Sequence, residues 1–228
     1  INKLQRSENK RGYRPTLNKI LQYYDRKTTM ITLDQKLLAL GVKLNCIIGR
    51  DVHIEKIENL EQLKQNLVID VLKGWNEEKI ADSLILDEYR KLHQIVIGQE
   101  GDKHLSSPES LVRYILKNKR FININNIVDC YNLISVKYQI AIGTHDLDRT
   151  EGKLKIAFID GTEKFIPLGF SKETTVPRGA YAFIDNKDIL CLLESRQSDK
   201  TKITPKTKRF ITYLQGNAET SQEYLDLA

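Results

Sequence analysis

Residues 125–148 read NNIVDCYNLISVKYQIAIGTHDLD, one strong helix pattern followed by a compact group of polar residues. In the first half, one set of side chains recurs every three or four positions, the spacing that places them on one face of a helix. These residues are Ile127, Val128, Tyr131, Ile134, Ser135 and Tyr138. Asn125 or Asn126 can cap the start by accepting a backbone N–H. The pattern predicts a buried amphipathic helix.

The second half breaks the helical spacing at the apolar run 140–142 and at Gly143, and His145, Asp146 and Asp148 follow closely. A buried helix that leads into a glycine turn rich in polar groups can form the wall of a functional site. Neighbouring carboxylates can orient a histidine and raise its pKa, which suits acid–base chemistry. A solvent-exposed turn with capping aspartates is the alternative, and these residues alone leave both open.

The composition predicts a soluble, globular, cytoplasmic protein. The chain has 228 residues, of which 40% are hydrophobic and 29% are charged, enough to bury a sizeable core. We find no apolar run of membrane-spanning length and no signal segment, and we expect no membrane partner. The three cysteines are far apart among apolar residues. We therefore expect buried free thiols, with a disulfide or a nucleophilic cysteine as the alternatives.

Positive charge is concentrated in two places. Residues 1–30 hold eight basic residues against Glu8 and Asp25, which accounts for the whole formal net charge of +6. A second cluster near the end consists of Lys200, Lys202, Lys206, Lys208 and Arg209, with Arg196 just before it. Basic clusters on a neutral body suit contact with a phosphate backbone, and a solvated surface is the alternative. We interpret residues 1–29 as a flexible basic extension, 30–216 as one domain and 217–228 as a polar tail.

The remaining patterns predict helices first and hairpins afterwards. Helices are expected over residues 60–72 and 76–96, from Ser107 onwards, and from Pro205 to Tyr213. Expected hairpins pair 44–48 with 52–57, 154–158 with 164–167, and 180–184 with 189–193. This order indicates an α+β fold with mixed or antiparallel sheets and packed helices.

Several familiar kinds of site are not found in the sequence. There is no phosphate-binding glycine loop, no nucleophile elbow and no dinucleotide fingerprint. The histidines are isolated from other metal-ligating residues, so we expect neither a metal nor a cofactor. Asn132, a polar residue within the apolar helix, either reaches a ligand or satisfies a backbone group.

Five motifs in a fixed order carry a family resemblance. They are a VDxxN helix, a glycine turn ending in DLD, a GTE turn before PLG, a D-x-x-x-I-x-C segment and a T-x-x-T segment. Together they resemble the B3/4 domain, the editing and tRNA-binding module of the phenylalanyl-tRNA synthetase beta subunit, which also occurs as a free-standing protein. The resemblance covers residues 84–216, and more loosely the chain from residue 30. No motif resembles the catalytic core of a synthetase, so the chain is not expected to be a synthetase by itself.

The resemblance implies a pocket between sheet and helices that receives the charged 3′ end of tRNA and hydrolyses the ester of a wrong amino acid. Two of the predicted catalytic residues, Asn132 and Asp146, match the family motifs, and the third is the nearby His145. The predicted substrate-binding residues, which also match these motifs, are Asp129, Gly143, Asp148, Glu163, Thr204 and Thr207. The basic cluster supplies the predicted tRNA contacts, which are Arg196, Lys200, Lys202, Lys206 and Lys208.

Two positions depart from the pattern of bacterial synthetases. Gly143 stands where they carry a histidine in the glycine turn, and His145 follows at an aromatic position. Tyr213 stands where they carry a glutamate after the T-x-x-T segment. The expected function is a free-standing module that binds misaminoacylated tRNA and hydrolyses the ester in trans. A non-catalytic module that binds tRNA or an amino acid is the alternative, and a small-molecule hydrolase with the same pocket is a third.

Overall fold

The computed structural model describes residues 31–51 and 59–228. In these residues the helices are α1 (Gln35–Ala39), α2 (Leu60–Gly74), α3 (Glu77–Asp82), α4 (Leu84–Ile97), α5 (Ser107–Asn118), α6 (Asn126–Tyr138) and α7 (Gln222–Leu227). The strands are β1 (Ile31–Leu33), β2 (Lys43–Gly49), β3 (Ala141–Asp146), β4 (Leu154–Phe158), β5 (Tyr181–Ile184), β6 (Ile189–Leu192), β7 (Arg196–Gln197) and β8 (Phe210–Gly216). None of the described helices has the length and apolar character needed to cross a membrane. The predicted extension 1–29 and the predicted strand 52–57 lie outside the described residues.

The strands form two sheets that face a common core. One has five strands in the order β1-β4-β5-β6-β7, and the other has three in the order β2-β8-β3. β1 and β4 are parallel, whereas the other pairs are antiparallel. Ile156 of β4 and Phe183 of β5 belong to the same apolar cluster as Tyr213 of β8. A second cluster lies among the helices and includes Val71 and Val112. The predicted α+β class, with mixed and antiparallel sheets and packed helices, is confirmed.

The segment from α6 to β3 follows its sequence pattern in the helix but not in the turn. The side chain of Asn125 caps α6 by accepting the backbone N–H of Val128 at 3.1 Å. The glycine turn expected at Gly143 is wrong, because this residue lies inside β3, opposite Tyr213 of β8. The apolar run 140–142 begins a strand whose six residues are all buried and all pair with β8. Continuous strand pairing therefore outweighs the tendency of glycine to form a turn.

The final helix expected over residues 205–213 is also wrong. Residues 210–216 form β8, which pairs with β2 on one side and with β3 on the other. Its FITYL segment is rich in β-branched and aromatic residues, which favour a strand. The segment predicted as a polar tail contains α7, whose Leu225 packs against Ile140 and Leu214. The proposed domain boundaries stay predictions.

The expected hairpins have mixed outcomes. The pairing of 180–184 with 189–193 is confirmed by the β5–β6 ladder. β4 pairs with β5 and not with residues 164–167, which make only isolated bridges through Phe165 and Pro167. A proline has no N–H to donate to a continuous ladder, which explains why this segment does not extend the sheet. β2 is present as predicted, and its described partner is β8.

Candidate functional site

A cavity of about 310 Å³ lies where α5, α6, β3 and β8 meet the segments 167–170 and 194–197. Its apolar lining includes Leu111, Ile122, Ile124, Val128, Ile142, Leu168 and Phe170. Its polar lining includes Ser107, Ser110, Tyr131, Asn132, Glu194, Ser195, Arg196 and Gln197. We call this space the Asn132 cavity. Its mixture of an apolar surface with a few polar groups is typical of a small-molecule subsite.

Asn132 lies on α6 and lines this cavity together with its neighbour Tyr131. The residue is only 8% exposed. Among the residues that the structure describes, its side-chain amide has no hydrogen-bond partner, and the residue lines the cavity. The amide offers both a donor and an acceptor to a molecule that enters the cavity. Of the two interpretations that the sequence left open for Asn132, the geometry favours contact with a ligand.

The floor of the cavity contains the two positions that depart from the synthetase pattern, and they contact each other. Gly143 lies directly opposite Tyr213 in the β3–β8 ladder. A Cβ atom at position 143 would lie 2.5 Å from ring carbon Cε1 of Tyr213 and 2.8 Å from its hydroxyl oxygen. The ring therefore occupies the space that a side chain at position 143 would need. The two departures form one packing unit.

His145, predicted as a catalytic residue, lies in the protein core and does not line the cavity. Its ring stacks on Tyr213 with the ring centroids 5.8 Å apart, and its Nδ1 lies 2.8 Å from Oγ1 of Thr201. Burial lowers the pKa of its imidazole to about 3, so the ring is neutral near pH 7. The catalytic role of His145 stays a prediction, and in this geometry its ring does not line the cavity. His145 reaches the cavity only through Tyr213.

Asp146 and Thr207 are brought together, away from the cavity. Oγ1 of Thr207 donates to Oδ2 of Asp146 at 2.7 Å, and the backbone N–H of Thr204 donates to Oγ1 of Thr207 at 3.0 Å. Asp148 forms an ion pair with Arg209 at 2.5 Å. These bonds fasten the segment before β8 to the end of β3. The side chains of Asp146, Thr207 and Asp148 therefore already have partners within the protein.

Asp129 and Glu163 also have internal partners. The carboxylate of Asp129 lies 2.6 Å from Nζ of Lys64, with both side chains buried, and it accepts the backbone N–H of Ile124 at 2.9 Å. Glu163 accepts the backbone N–H groups of Asp160 and Gly161 within its own turn. Neither residue lines the Asn132 cavity. Both hold the local backbone in place.

Among the predicted tRNA contacts, Arg196 lies at the cavity and the lysines lie elsewhere. Arg196 is exposed and lines the cavity from β7. Lys200 pairs with Asp188 at 2.5 Å, and Lys202 pairs with Asp199 at 2.9 Å. Lys206 and Lys208 are exposed on the segment before β8 and are not part of the cavity lining.

Sequence reasoning did not find a buried polar network beside the cavity. Glu194 lines the cavity, and its Oε1 lies 2.8 Å from Nε2 of His93 on α4. The hydroxyl of Tyr181 donates to Oε2 of the same carboxylate. Burial alone lowers the pKa of His93, but the charge and hydrogen bond of Glu194 outweigh it and raise that pKa overall. The sequence signal was a glutamate directly after the apolar run 189–193, opposite a lone histidine on an apolar helix face.

The cavity contains neither a reactive thiol nor a metal-binding cluster. Cys191 lines it as a free thiol, and burial raises its pKa to about 12, so it is not a thiolate near pH 7. Within the described ranges, no group of three or more His, Cys, Asp or Glu residues is arranged to hold a metal ion. The hydrogen-bonding groups that the cavity offers include Asn132, the serine hydroxyls and the Arg196 guanidinium.

Comparisons with known proteins give the family context of this site. The sequence model of the B3/4 domain family matches residues 93–223. The phenylalanine–tRNA ligase beta subunit of Metallosphaera sedula is 33% identical in an alignment that covers 39% of this chain and 20% of that subunit. An N-terminal fragment of the phenylalanyl-tRNA synthetase beta subunit from Pyrococcus horikoshii superposes with a TM-score of 0.39 and 15% identity, covering 85% of this chain and 45% of that chain. The chain spans about a fifth of its curated relative and less than half of its solved relative.

Proposed function

Because the chain belongs to the B3/4 domain family, we propose that it binds the aminoacylated 3′ end of a tRNA at the Asn132 cavity and hydrolyses the aminoacyl ester in trans. The curated relative named above is a subunit of a tRNA ligase, which connects this family with aminoacylated tRNA. A cytoplasmic location is part of this proposal, because charged tRNA is present there.

One observation carries the proposal, namely the buried amide of Asn132 on the cavity wall. No described residue bonds to this amide, so a ligand in the cavity can use both its donor and its acceptor. An aminoacyl ester presents a carbonyl oxygen to accept and an ammonium group to donate, which matches both halves of an amide. The cavity volume of about 310 Å³ is close to the lower limit of ordinary ligand pockets and suits an amino acid on its ester.

The proposed reaction needs few protein groups. A water oxygen adds to the ester carbonyl carbon, and the bond from that carbon to the ribose oxygen then breaks. The ribose oxygen takes one proton of the water, and the amino acid leaves as a carboxylate while the second proton goes to solvent. We assign Asn132 to the carbonyl oxygen, where a preset donor stabilises the negative charge that develops in the transition state.

The other predicted site residues take different parts in this proposal. Gly143 admits the Tyr213 ring that forms the cavity floor, and His145 positions that ring from behind. Arg196 contacts the RNA. We propose that the remaining substrate-binding and catalytic candidates position the surrounding segments without touching the substrate. They are Asp129, Asp146, Asp148, Glu163, Thr204 and Thr207.

A deacylation assay across a panel of mischarged tRNAs tests the proposal. We expect the wild-type protein to release at least one amino acid faster than the uncatalysed rate. Asn132→Ala should lower kcat by roughly 10²-fold, the usual effect of losing one transition-state donor. Asn66→Ala, a matched change at an exposed position on α2, should leave the rate unchanged. No release above background for any tRNA would contradict the hydrolytic function.

A second candidate is a binding module without hydrolysis. The observation that favours it is the shortage of groups able to activate water. His145 is buried and neutral, and Glu194, the carboxylate in the described lining, is already bonded to His93 and Tyr181. This candidate predicts that tRNA binds with a steep salt dependence while every ester survives at the uncatalysed rate.

A further inference from the structure

The rim of the Asn132 cavity carries apolar side chains that face solvent. Phe170 is 60% exposed and Leu168 is 45% exposed, both on the segment after Pro167. Ile124, on the segment before α6, is 54% exposed. All three line the same cavity. Exposed apolar groups gathered at a cavity mouth indicate a surface that is covered when a partner binds.

The segment that carries Phe170 is held in place by backbone hydrogen bonds. The N–H of Leu168 donates to the carbonyl of Gln197 at 2.8 Å, and the N–H of Phe170 donates to the carbonyl of Pro167 at 3.0 Å. The first bond ties this segment to β7, the strand that carries Arg196. Phe170 and Arg196 therefore lie on two segments of the rim that are joined by a backbone hydrogen bond.

Charge points to the kind of partner. Arg196 is exposed and forms no ion pair with any residue in the described part of the chain. An exposed aromatic ring and an unpaired guanidinium on one cavity rim can together bind unpaired nucleotides, because the ring stacks on a base while the cation contacts phosphate. A purely apolar protein partner would gain nothing from the unpaired charge.

The size of the cavity suits the aminoacyl part of the ligand. Its volume of about 310 Å³ is close to the lower limit of ordinary ligand pockets. With the ester inside, the base of the terminal nucleotide stays at the rim, where Phe170 lies. The ribose that carries the ester spans the distance between them.

We propose that Phe170 is the stacking platform for the terminal base of the tRNA 3′ end, with Arg196 contacting its backbone phosphate. The assignment rests on the proposed function, because it takes the acceptor end of tRNA as the partner. It adds a base-recognition subsite outside the cavity, formed by Phe170 with Leu168 and Ile124 at its sides. Recognition there is by stacking, so it tolerates any base that presents an aromatic face.

Binding of an uncharged RNA minihelix with a single-stranded 3′ end tests this subsite without requiring hydrolysis. The same minihelix lacking only its terminal base serves as the matched ligand, and fluorescence anisotropy measures both. We expect the wild-type protein to bind the intact RNA roughly 10-fold more tightly than the abasic one. Phe170→Ala should remove this difference, and Phe170→Trp should retain it. Ile95→Ala, at an exposed apolar position of α4 outside the cavity, should bind like the wild type.

Arg196→Gln should weaken the binding of both RNAs equally and lower the slope of log Kd against log salt by about one.

The proposal is overturned if the wild-type protein does not distinguish the two RNAs, or if Phe170→Ala leaves the difference intact. It is also overturned if Phe170→Ala changes only self-association in sedimentation, which would make the rim a protein contact. Base-dependent binding without any deacylation would retain this subsite and reject the hydrolytic function. Deacylation by Phe170→Ala with an unchanged KM would retain the hydrolytic function and reject this subsite.

Discussion

Asp129 and Asn132 lie three residues apart on α6 and are both buried, yet their surroundings are opposite. Asp129 is paired with Lys64 and accepts a backbone N–H, so its bonding capacity is used inside the protein. Asn132 lines a cavity and has no partner among the described residues. The difference shows that burial of a polar residue does not identify a functional one. What separates the two roles is whether the fold already satisfies the group.

Of the substitutions that test this difference between Asp129 and Asn132, removal of the partner of Asp129 should have the largest effect on stability. Lys64→Met leaves the Asp129 carboxylate buried without a counter-charge, which should cost about 3–5 kcal/mol of unfolding free energy. Urea unfolding followed by circular dichroism measures the loss. Lys73→Met, at an exposed position of the same helix, should change stability by less than about 0.5 kcal/mol. A Lys64→Met protein as stable as the wild type would contradict the structural role of Asp129.

Disturbing the packing of Gly143 against Tyr213 should cause the next largest loss of unfolding free energy. Gly143→Ala introduces a Cβ that overlaps the Tyr213 ring, and overpacking of this kind costs about 1–3 kcal/mol. In a Tyr213→Ala background the same substitution should cost much less, because the obstructing ring is gone. A double-mutant cycle of unfolding free energies measures this coupling. An equal cost in the two backgrounds would mean that the two positions do not form one packing unit.

The pH dependence of stability follows from the burial of His145. Its folded pKa of about 3 lies below the unfolded value of about 6.5, so the unfolded state takes up the proton first as the pH falls. Stability should therefore decrease from pH 6.5 towards pH 3, with about 2 kcal/mol lost by pH 5. The side chains around the ring, Thr201, Phe183 and Tyr213, carry no charge near neutral pH that would oppose this.

Two variants separate this contribution from other histidines. His145→Gln should flatten the fall in stability between pH 6.5 and pH 5. His104→Gln should change it less, since His104 is only half-buried, although burial also lowers its pKa. His93 has a raised pKa, so its stabilising contribution is already complete below pH 6.5 and does not add to the slope. An unchanged slope in His145→Gln would show that the imidazole is not buried as described.

The smallest expected effect on stability is at Asn132. Asn132→Ala removes a group that makes no hydrogen bond to a described residue, so the unfolding free energy should change by less than about 1 kcal/mol. Thermal unfolding of this variant beside Lys64→Met makes the contrast between the two α6 residues directly visible. A loss above about 2 kcal/mol would mean that Asn132 has a structural partner after all.

The sequence was sufficient for the features that depend on local pattern. The start of α6 could be predicted because the Asn125 side chain accepts a nearby backbone N–H. The α+β class followed from helical spacing in the first part and period-two alternation later. Such features depend on residues close together in the chain. The order of the motifs was sufficient to identify the family.

Features set by distant contacts were harder to predict. Gly143 lies in a strand because β8, some seventy residues later, pairs with it. His145 was placed in a site because aspartates flank it in sequence, whereas in the fold its ring faces Thr201 and Tyr213. Glu194 and His93 are far apart in sequence and meet only through packing of α4 against the end of β6. No local pattern encodes these contacts.

The side-chain amide of Asn132 offers the most direct test of the central claim, that this group faces the ligand. A protein labelled with ¹⁵N at asparagine can be titrated with a 3′-aminoacylamino-adenosine, in which an amide replaces the labile ester. We predict that the Asn132 side-chain resonance shifts progressively until the site is saturated, while that of the exposed Asn66 stays in place. Binding that shifts other resonances but leaves the Asn132 amide unchanged would contradict the account.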